Sequence, residues 1–173
     1  MVVFGNLKYI PLFLFDFTNG YQIKSAVLKN EIVIRDANNG DIEALTLLMN
    51  ELGYPTTLNE MQGRFSKISD HPDYKTIIAI VNGQAVGMAG LAKGIFYEKN
   101  GNYLRVVALA VKQGSRNMGI GKALLTVAEG WAAEQGLETI LINCGNREER
   151  RRAHQFYQEM GYIVKSSGFV KQV

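Results

Sequence analysis

The residues best placed to do chemistry lie where an apolar run ends in a glycine-punctuated turn. Val106 to Val111 reads as a buried strand, Gly114 breaks it, and an apolar helical period resumes at Ile120, Leu124, Val127, Ala128 and Trp131 before Gly136 stops it. A turn between a strand end and a helix start leaves backbone N–H groups without partners inside the chain. With the helix dipole behind them, those groups suit an anion such as a pyrophosphate. Residues 116 to 122 are therefore expected to meet a phosphate-bearing ligand.

Three phosphate-binding patterns compete for this turn. Gly114 and Gly119 have the spacing of a P-loop, but Ile120 stands where that loop needs a lysine. Gly119 and Gly121 begin a dinucleotide fingerprint, but Leu124 stands where its third glycine belongs. Arg116-Asn117-Met118-Gly119-Ile120-Gly121 fits a third pattern in full, Arg/Gln-x-x-Gly-x-Gly/Ala after a strand ending in Leu-x-Val. This resembles the acyl-CoA pyrophosphate loop of the Gcn5-related N-acetyltransferases (GNAT). A second segment, Arg150-x-x-Ala-His-x-Phe-Tyr-x-x-x-Gly-Tyr162, is similar to the family's next block.

The elements that must position these motifs follow from periodicity and turn chemistry. Glu31 to Arg35 predicts a strand, and Asp41 is expected to cap a helix with apolar face Ile42, Leu45, Leu48, Met49 and Leu52. Gly53 and Pro55 end it, and the capping box Thr57-Leu-Asn-Glu60 opens a second helix. Thr76 to Val81 and Ala85 to Lys93 flank Asn82-Gly83, a tight hairpin, and Tyr103 to Val111 follows Asn100-Gly101. After the long helix, Glu138 to Asn143 is expected to run parallel to Tyr103–Val111 through a right-handed crossover. A helix over about 148–160 and two short strands, Tyr162 to Lys165 and Phe169 to Val173, complete the chain.

This order predicts an α/β (α+β) fold, a mixed and mostly antiparallel sheet with helices on both faces. It is also the element order of the GNAT family, so the resemblance extends over residues 31–173. The first thirty residues form an appendage whose Leu12 to Phe17 and Tyr21 to Ile23 flank Asn19-Gly20, a second hairpin signal. Its aromatic content predicts packing on the domain or on a second subunit, which makes a homodimer one option.

The resemblance implies acetyl-CoA as acyl donor, lying where two parallel strands splay. Carried over, Leu109, Ala110 and Val111 hold the pantetheine through their backbones, and the amides of Asn117, Met118, Gly119, Ile120, Gly121 and Lys122 hold the pyrophosphate. Arg116, Lys122 and Arg150 add charged contacts, and no residue is assigned to a metal. The reaction implied is direct attack of a primary amine, on a small molecule or a peptide, on the thioester. The Leu109 N–H is expected to steady the oxyanion.

Tyr157 matches the family's general-acid tyrosine, whose phenol assists thiolate departure. On spacing alone it shares a core stripe with Ala153, Phe156 and Met160, and the motif is what decides for catalysis. Two departures stand out. Arg150 occupies a position often held by Asn, and the strand Tyr103–Val111 lacks the Glu many members use as base. A water chain, His154, Glu98 or His71 is left for that role. That gap also keeps open a non-catalytic acyl-CoA-binding or sensor module. Cys144 carries no signature of an activated thiol. Tyr54, Pro55 and the residues near Ser166-Ser-Gly168 are expected to line the acceptor side.

Composition narrows the setting. The chain has 173 residues, 47% hydrophobic and 20% charged, so one domain with a real core is expected. A net charge of +3 is too mild to argue for nucleic acid. The single cysteine excludes an internal disulfide and suits a cytoplasmic protein. No apolar run approaches the roughly 18 residues a membrane span requires, and Asp16 interrupts the run that most resembles a signal peptide.

Overall fold

The computed structural model describes residues 31–173, together with the backbone of a short strand at 21–23. The elements in chain order are β1 (Tyr21–Ile23), β2 (Ile32–Asp36), α1 (Ile42–Leu52), α2 (Leu58–Ser69), β3 (Tyr74–Val81), β4 (Gln84–Ile95) and β5 (Asn102–Val111), then α3 (Ile120–Glu134), β6 (Ile140–Ile142) and α4 (Arg151–Glu159). The sheet order is β1-β2-β3-β4-β5-β6, antiparallel up to β5 and parallel between β5 and β6. The mixed sheet expected from the element order is therefore present. β1 pairs with β2, while the strand expected opposite it, Leu12 to Phe17, lies outside the described residues.

Two apolar clusters sandwich the sheet. One joins Ile34, Ile77, Leu91, Leu104 and Val106 to Ile120, Leu124, Leu125 and Ala128 of α3, with Phe156 and Tyr157 of α4 and the following Met160 against it. The other joins Ile78, Met88 and Ala110 to Leu45, Leu48, Met61 and Phe65 of α1 and α2. Helices α1 and α2 thus cover one face, and α3 and α4 the other. Gly87 makes the α3 packing feasible, because a Cβ there would meet Ile120 Cγ2 at 2.9 Å and Ala110 O at 3.2 Å.

Turn and cap chemistry explains most boundaries. Asn82 and Gly83 both take positive φ, 51° and 74°, as a type I′ hairpin requires. Thr57 and Glu60 form the expected capping box of α2. At the end of α1, Gly53 at φ 92° donates to Asn50 O and Tyr54 N to Met49 O, a Schellman closure.

Two local expectations are corrected. Asp41 makes no side-chain cap on α1. Asn38 caps a single 3₁₀ turn ahead of that helix instead, and Asp41 accepts from Asn38 N at 2.9 Å and pairs with both Arg35 terminal nitrogens at 2.7 and 2.8 Å. Arg35, alternating outward from a buried strand, competes successfully for that carboxylate. The C-terminal strands do not form: from Tyr162 onward the chain is irregular and mostly exposed. The neighbouring edge strand β6 has only three residues to pair with, and Ser166-Ser-Gly168 interrupts the apolar pattern.

Candidate functional site

The site begins with a defect in the sheet. Gly90 pairs with Ala108 but Leu91 pairs with Val106, so Val107 is an extra residue bulged out of β5. The parallel ladder with β6 ends at the same level, running from Leu104↔Ile140 to Val106↔Ile142. Beyond it β5 continues to Val111 paired with β4, and among the described residues no strand lies beside the edge carrying Leu109, Ala110 and Val111. A bulge bends its strand, and this one turns β5 away from β6. The two strands are paired no further than Val106 and Ile142, and the gap between them begins there.

The turn at the end of that edge forms an amide cradle. Asn117 and Gly119 both take left-handed backbone, at φ 63° and 79°, which winds the chain into the start of α3. The first amide after it with a backbone partner is Ala123 N, donating to Gly119 O at 2.9 Å. Among the described residues, the amides of Asn117, Met118, Gly119, Ile120, Gly121 and Lys122 donate to no protein acceptor. No side chain caps α3, and Gly121 packs so closely under Phe156 that a Cβ would meet its ring at 3.2 Å. These unpaired donors at a helix N-terminus fit a pyrophosphate.

Arg116 is tied down rather than free. Its Nε donates to Val111 O at 3.2 Å and its Nη2 to Glu51 of α1 at 3.1 Å. It thereby braces the turn against the opposite layer. Lys122 is exposed on the first turn of α3.

Tyr157 sits on α4 with its ring against Phe156 and Tyr162, centroids 5.4 and 6.1 Å apart. Burial pushes its phenol up to about 12, helped by nearby Cys144 and opposed by the Arg150 guanidinium. At neutral pH it is a proton donor. Burial likewise raises the Cys144 thiol, with Arg150 pulling the other way, so the thiol is neutral and poorly nucleophilic. Tyr162, on the other flank, donates to Glu129 at 3.0 Å and is also held in its protonated form.

Arg150 does something its position in the motif did not reveal. Its Nη2 donates to Leu52 O at 2.6 Å, across 98 positions of sequence. Leu52 O is one of the carbonyls left over at the end of α1, and a guanidinium satisfies both its lone pair and the helix dipole. The side chain passes from the layer of α4 to the layer of α1, and so links the Tyr157 side of the gap to the Tyr54-Pro55 turn. Tyr54 and Leu58, on either side of that turn, are 58% and 50% exposed, which leaves an open apolar rim.

Of the residues considered for a base, Glu98 is exposed in the loop between β4 and β5, and both histidines are engaged elsewhere. His154 Nε2 donates to Gly145 O at 3.0 Å, and His71 Nδ1 accepts from Asp73 N at 3.1 Å in the α2–β3 turn. Val107 is 51% exposed at the bulge, and no carboxylate lies on β5. Arg105, two residues before the bulge, is a further feature the sequence reading passed over. It faces the α1 and α2 side and has no ion pair among the described residues. Residues 166–168 are exposed, and no described contact joins them to the gap.

Comparison with known proteins identifies the family and the fold. The model of the family described as Acetyltransferase (GNAT) matches residues 42–162. A GNAT family acetyltransferase from Staphylococcus aureus is similar to the chain at 35% identity and TM-score 0.70, covering 82% of this chain and 98% of its own. The aminoglycoside N-acetyltransferase AAC(6')-Iy, solved with CoA, shares the fold at TM-score 0.74 and 15% identity, over 86% of this chain and 99% of its own. An aminoglycoside 6'-N-acetyltransferase from Acinetobacter haemolyticus gives 0.69 and 16%, over 81% and 98%. No curated protein matches the chain.

Proposed function

The chain belongs to the acetyltransferase (GNAT) family, and from that premise we propose that it moves acetyl from acetyl-CoA to a primary amine on a small molecule, by direct attack in a ternary complex. The observation that carries this reading is the amide cradle at residues 117–122 beside an unpaired β5 edge, with a neutral Tyr157 next to Phe156, whose ring packs on Gly121 of the cradle. Bound acetyl-CoA would supply a thioester carbonyl as electrophile. Leu109, Ala110 and Val111 would align its pantetheine as an added strand, and the Leu109 N–H would steady the oxyanion. The Tyr157 hydroxyl would then pass its proton to the departing sulfur, which avoids releasing a bare thiolate into a half-buried gap.

The acceptor's own proton is the harder step. An alkylammonium near pKa 10 is no nucleophile, and β5 offers no carboxylate to deprotonate it. On this reading water in the open gap removes the proton, and the rate follows the neutral fraction of the amine. The aminoglycoside acceptors named for two structural relatives are amines, which agrees with the reaction class. Residues 1–30, ahead of the family match at 42–162, we read as an appendage to the domain at 31–173. Among the described residues no helix is long and apolar enough to cross a membrane.

The missing strand carboxylate gives one alternative its footing, a sensor that binds acyl-CoA without turnover. Thiol release from acetyl-CoA across a panel of primary amines separates the two. Saturable amine-dependent release supports transfer, whereas tight acetyl-CoA binding with no release from any amine supports the sensor.

A further inference from the structure

Resting on that reading, we propose that the acceptor carries an anionic group, and that Arg105 receives it on the α1 and α2 side of the gap. The placement follows from register. Leu104 and Val106 pack into the α3 cluster, so Tyr103 and Arg105 point to the opposite face, toward which the bulge also turns Val107. Ala92 on β4 and Leu141 on β6 flank Arg105 in the sheet. Ile140 and Ile142 pack with the α3 cluster, so Leu141 shares the Arg105 face. The arginine therefore rises from an apolar floor on the α1 and α2 face of the sheet, two residues before the bulge.

Its surroundings leave it waiting for an anion. Arg105 Nε is buried with no hydrogen-bond partner, a condition folded proteins rarely tolerate. No described carboxylate pairs with it, and three acids of this layer are held by other groups: Asp41 by Arg35, Glu51 by Arg116, and Glu60 in the α2 cap. The guanidinium lies 5.5 Å from the Tyr103 ring, which in turn lies across Gly94, where any Cβ would collide with it. The fork is thus oriented before a ligand arrives, and a carboxylate would satisfy the orphaned N–H. Arg150, also without an ion pair among the described residues, adds positive charge at the same gap. Two such cations favour an acceptor with an anionic end and oppose a polycation.

The test compares β-alanine, 4-aminobutyrate and 6-aminohexanoate, each with its primary amide, and neamine as a polycation. Thiol release gives kcat/KM, and calorimetry in the presence of CoA gives the Kd of each acid, independently of turnover. At least one acid is expected to exceed its amide roughly 10- to 100-fold, the worth of a hydrogen-bonded charge pair. In Arg105→Gln that ratio collapses toward one, and Arg105→Lys, which keeps the charge but loses the fork, recovers part of it. Equal ratios in wild type and Arg105→Gln, acid binding that ignores the substitution, or a preference for neamine over every acid would each overturn the proposal. Arg105-dependent acid binding with no release from any amine would uphold the anion site and count against acetyl transfer instead.

Discussion

In the proposed reading the two halves of the gap recognise their ligands by different means. The donor half is built from backbone: the free edge of β5 beyond Val107 and the unpaired amides of residues 117–122. The proposed acceptor half draws on side chains from distant segments, Arg105 on β5 and Arg150 with the Tyr54-Pro55 turn that its bond to Leu52 O adjoins. A backbone cradle accepts one chemical group and is set by where glycine is allowed. A side-chain wall can change its ligand by single substitutions without disturbing the fold. One scaffold can therefore keep its acyl donor while its acceptor varies.

The largest effect should follow from damage to the donor half. Gly119 takes φ 79°, so an added side chain strains the turn by roughly 1–3 kcal/mol. Gly119→Asp also sets a carboxylate beside the phosphates, and Gly121→Asp forces its Cβ into Phe156. Both should weaken acetyl-CoA at least about 100-fold by calorimetry on folded protein. Unchanged affinity would remove the loop from the site.

Tyr157→Phe is expected to act on rate and spare binding. It keeps the ring packing against Phe156 and Tyr162, so the Kd for acetyl-CoA should hold. kcat should fall by roughly 10²-fold, the low end for general acid catalysis, because a CoA thiolate leaves readily. The pH profile is a second check. A phenol raised to about 12 stays protonated through the working range, so no basic limb from Tyr157 should appear below pH 10. The rate should instead climb with pH as the amine loses its proton. A stable Tyr157→Phe protein with full turnover would end the catalytic role.

Arg150 tests where the boundary between the halves runs. The family motif puts it on the cofactor, while its hydrogen bond goes to Leu52 O at the end of α1. Arg150→Gln should cost about 1.5–3 kcal/mol of stability if the capping bond matters, since it is a charged bond to a partly buried carbonyl. The amine KM should rise several-fold as the Tyr54-Pro55 turn loosens, with the Kd for acetyl-CoA within about twofold. A selective loss of acetyl-CoA affinity with unchanged melting would return Arg150 to the donor half.

This division also explains what could be read from the chain. The hexapeptide Arg116 to Gly121 and the turns at Asn82-Gly83 and Gly53 are local, and glycine at positive φ leaves a direct mark in sequence. The hydrophobic periods gave the helix faces, and the short turns with the long crossover gave the antiparallel run β3-β4-β5 and the parallel pair β5-β6, while the place of β2 and the missing C-terminal strands depended on pairing at a distance. The bulge at Val107 left no such mark, because its cause is a register shift between two strands that each look regular. The Arg150–Leu52 bond and the unpaired Arg105 depend on long-range placement, and a lone arginine in a strand carries no signal of what it faces. Asp41 failed as a predicted cap for a related reason. Its true partner, Arg35, lies outside the helix whose boundary it marks.

The smallest expected effect asks whether Arg116 serves the fold or the phosphate. The Arg116–Glu51 pair is 3.1 Å long with side chains 53% and 30% exposed, so the bond itself is worth no more than about 1 kcal/mol. Glu51→Gln therefore barely moves the melting temperature, and the informative quantity is the sign of its effect on acetyl-CoA. If the guanidinium reaches the pyrophosphate once released, removing its carboxylate partner also removes a competing negative charge near the loop. Affinity then tightens about two- to threefold at low salt, and the gain fades as salt screens the interaction. If Arg116 is a strut, the freed side chain lets the turn loosen, and affinity weakens by a similar factor with little salt dependence. The bond from Arg116 Nε to Val111 O survives in either case, since Glu51 takes no part in it. Calorimetric titrations of both proteins at two ionic strengths distinguish a donor half that is wholly backbone from one that borrows a single charge.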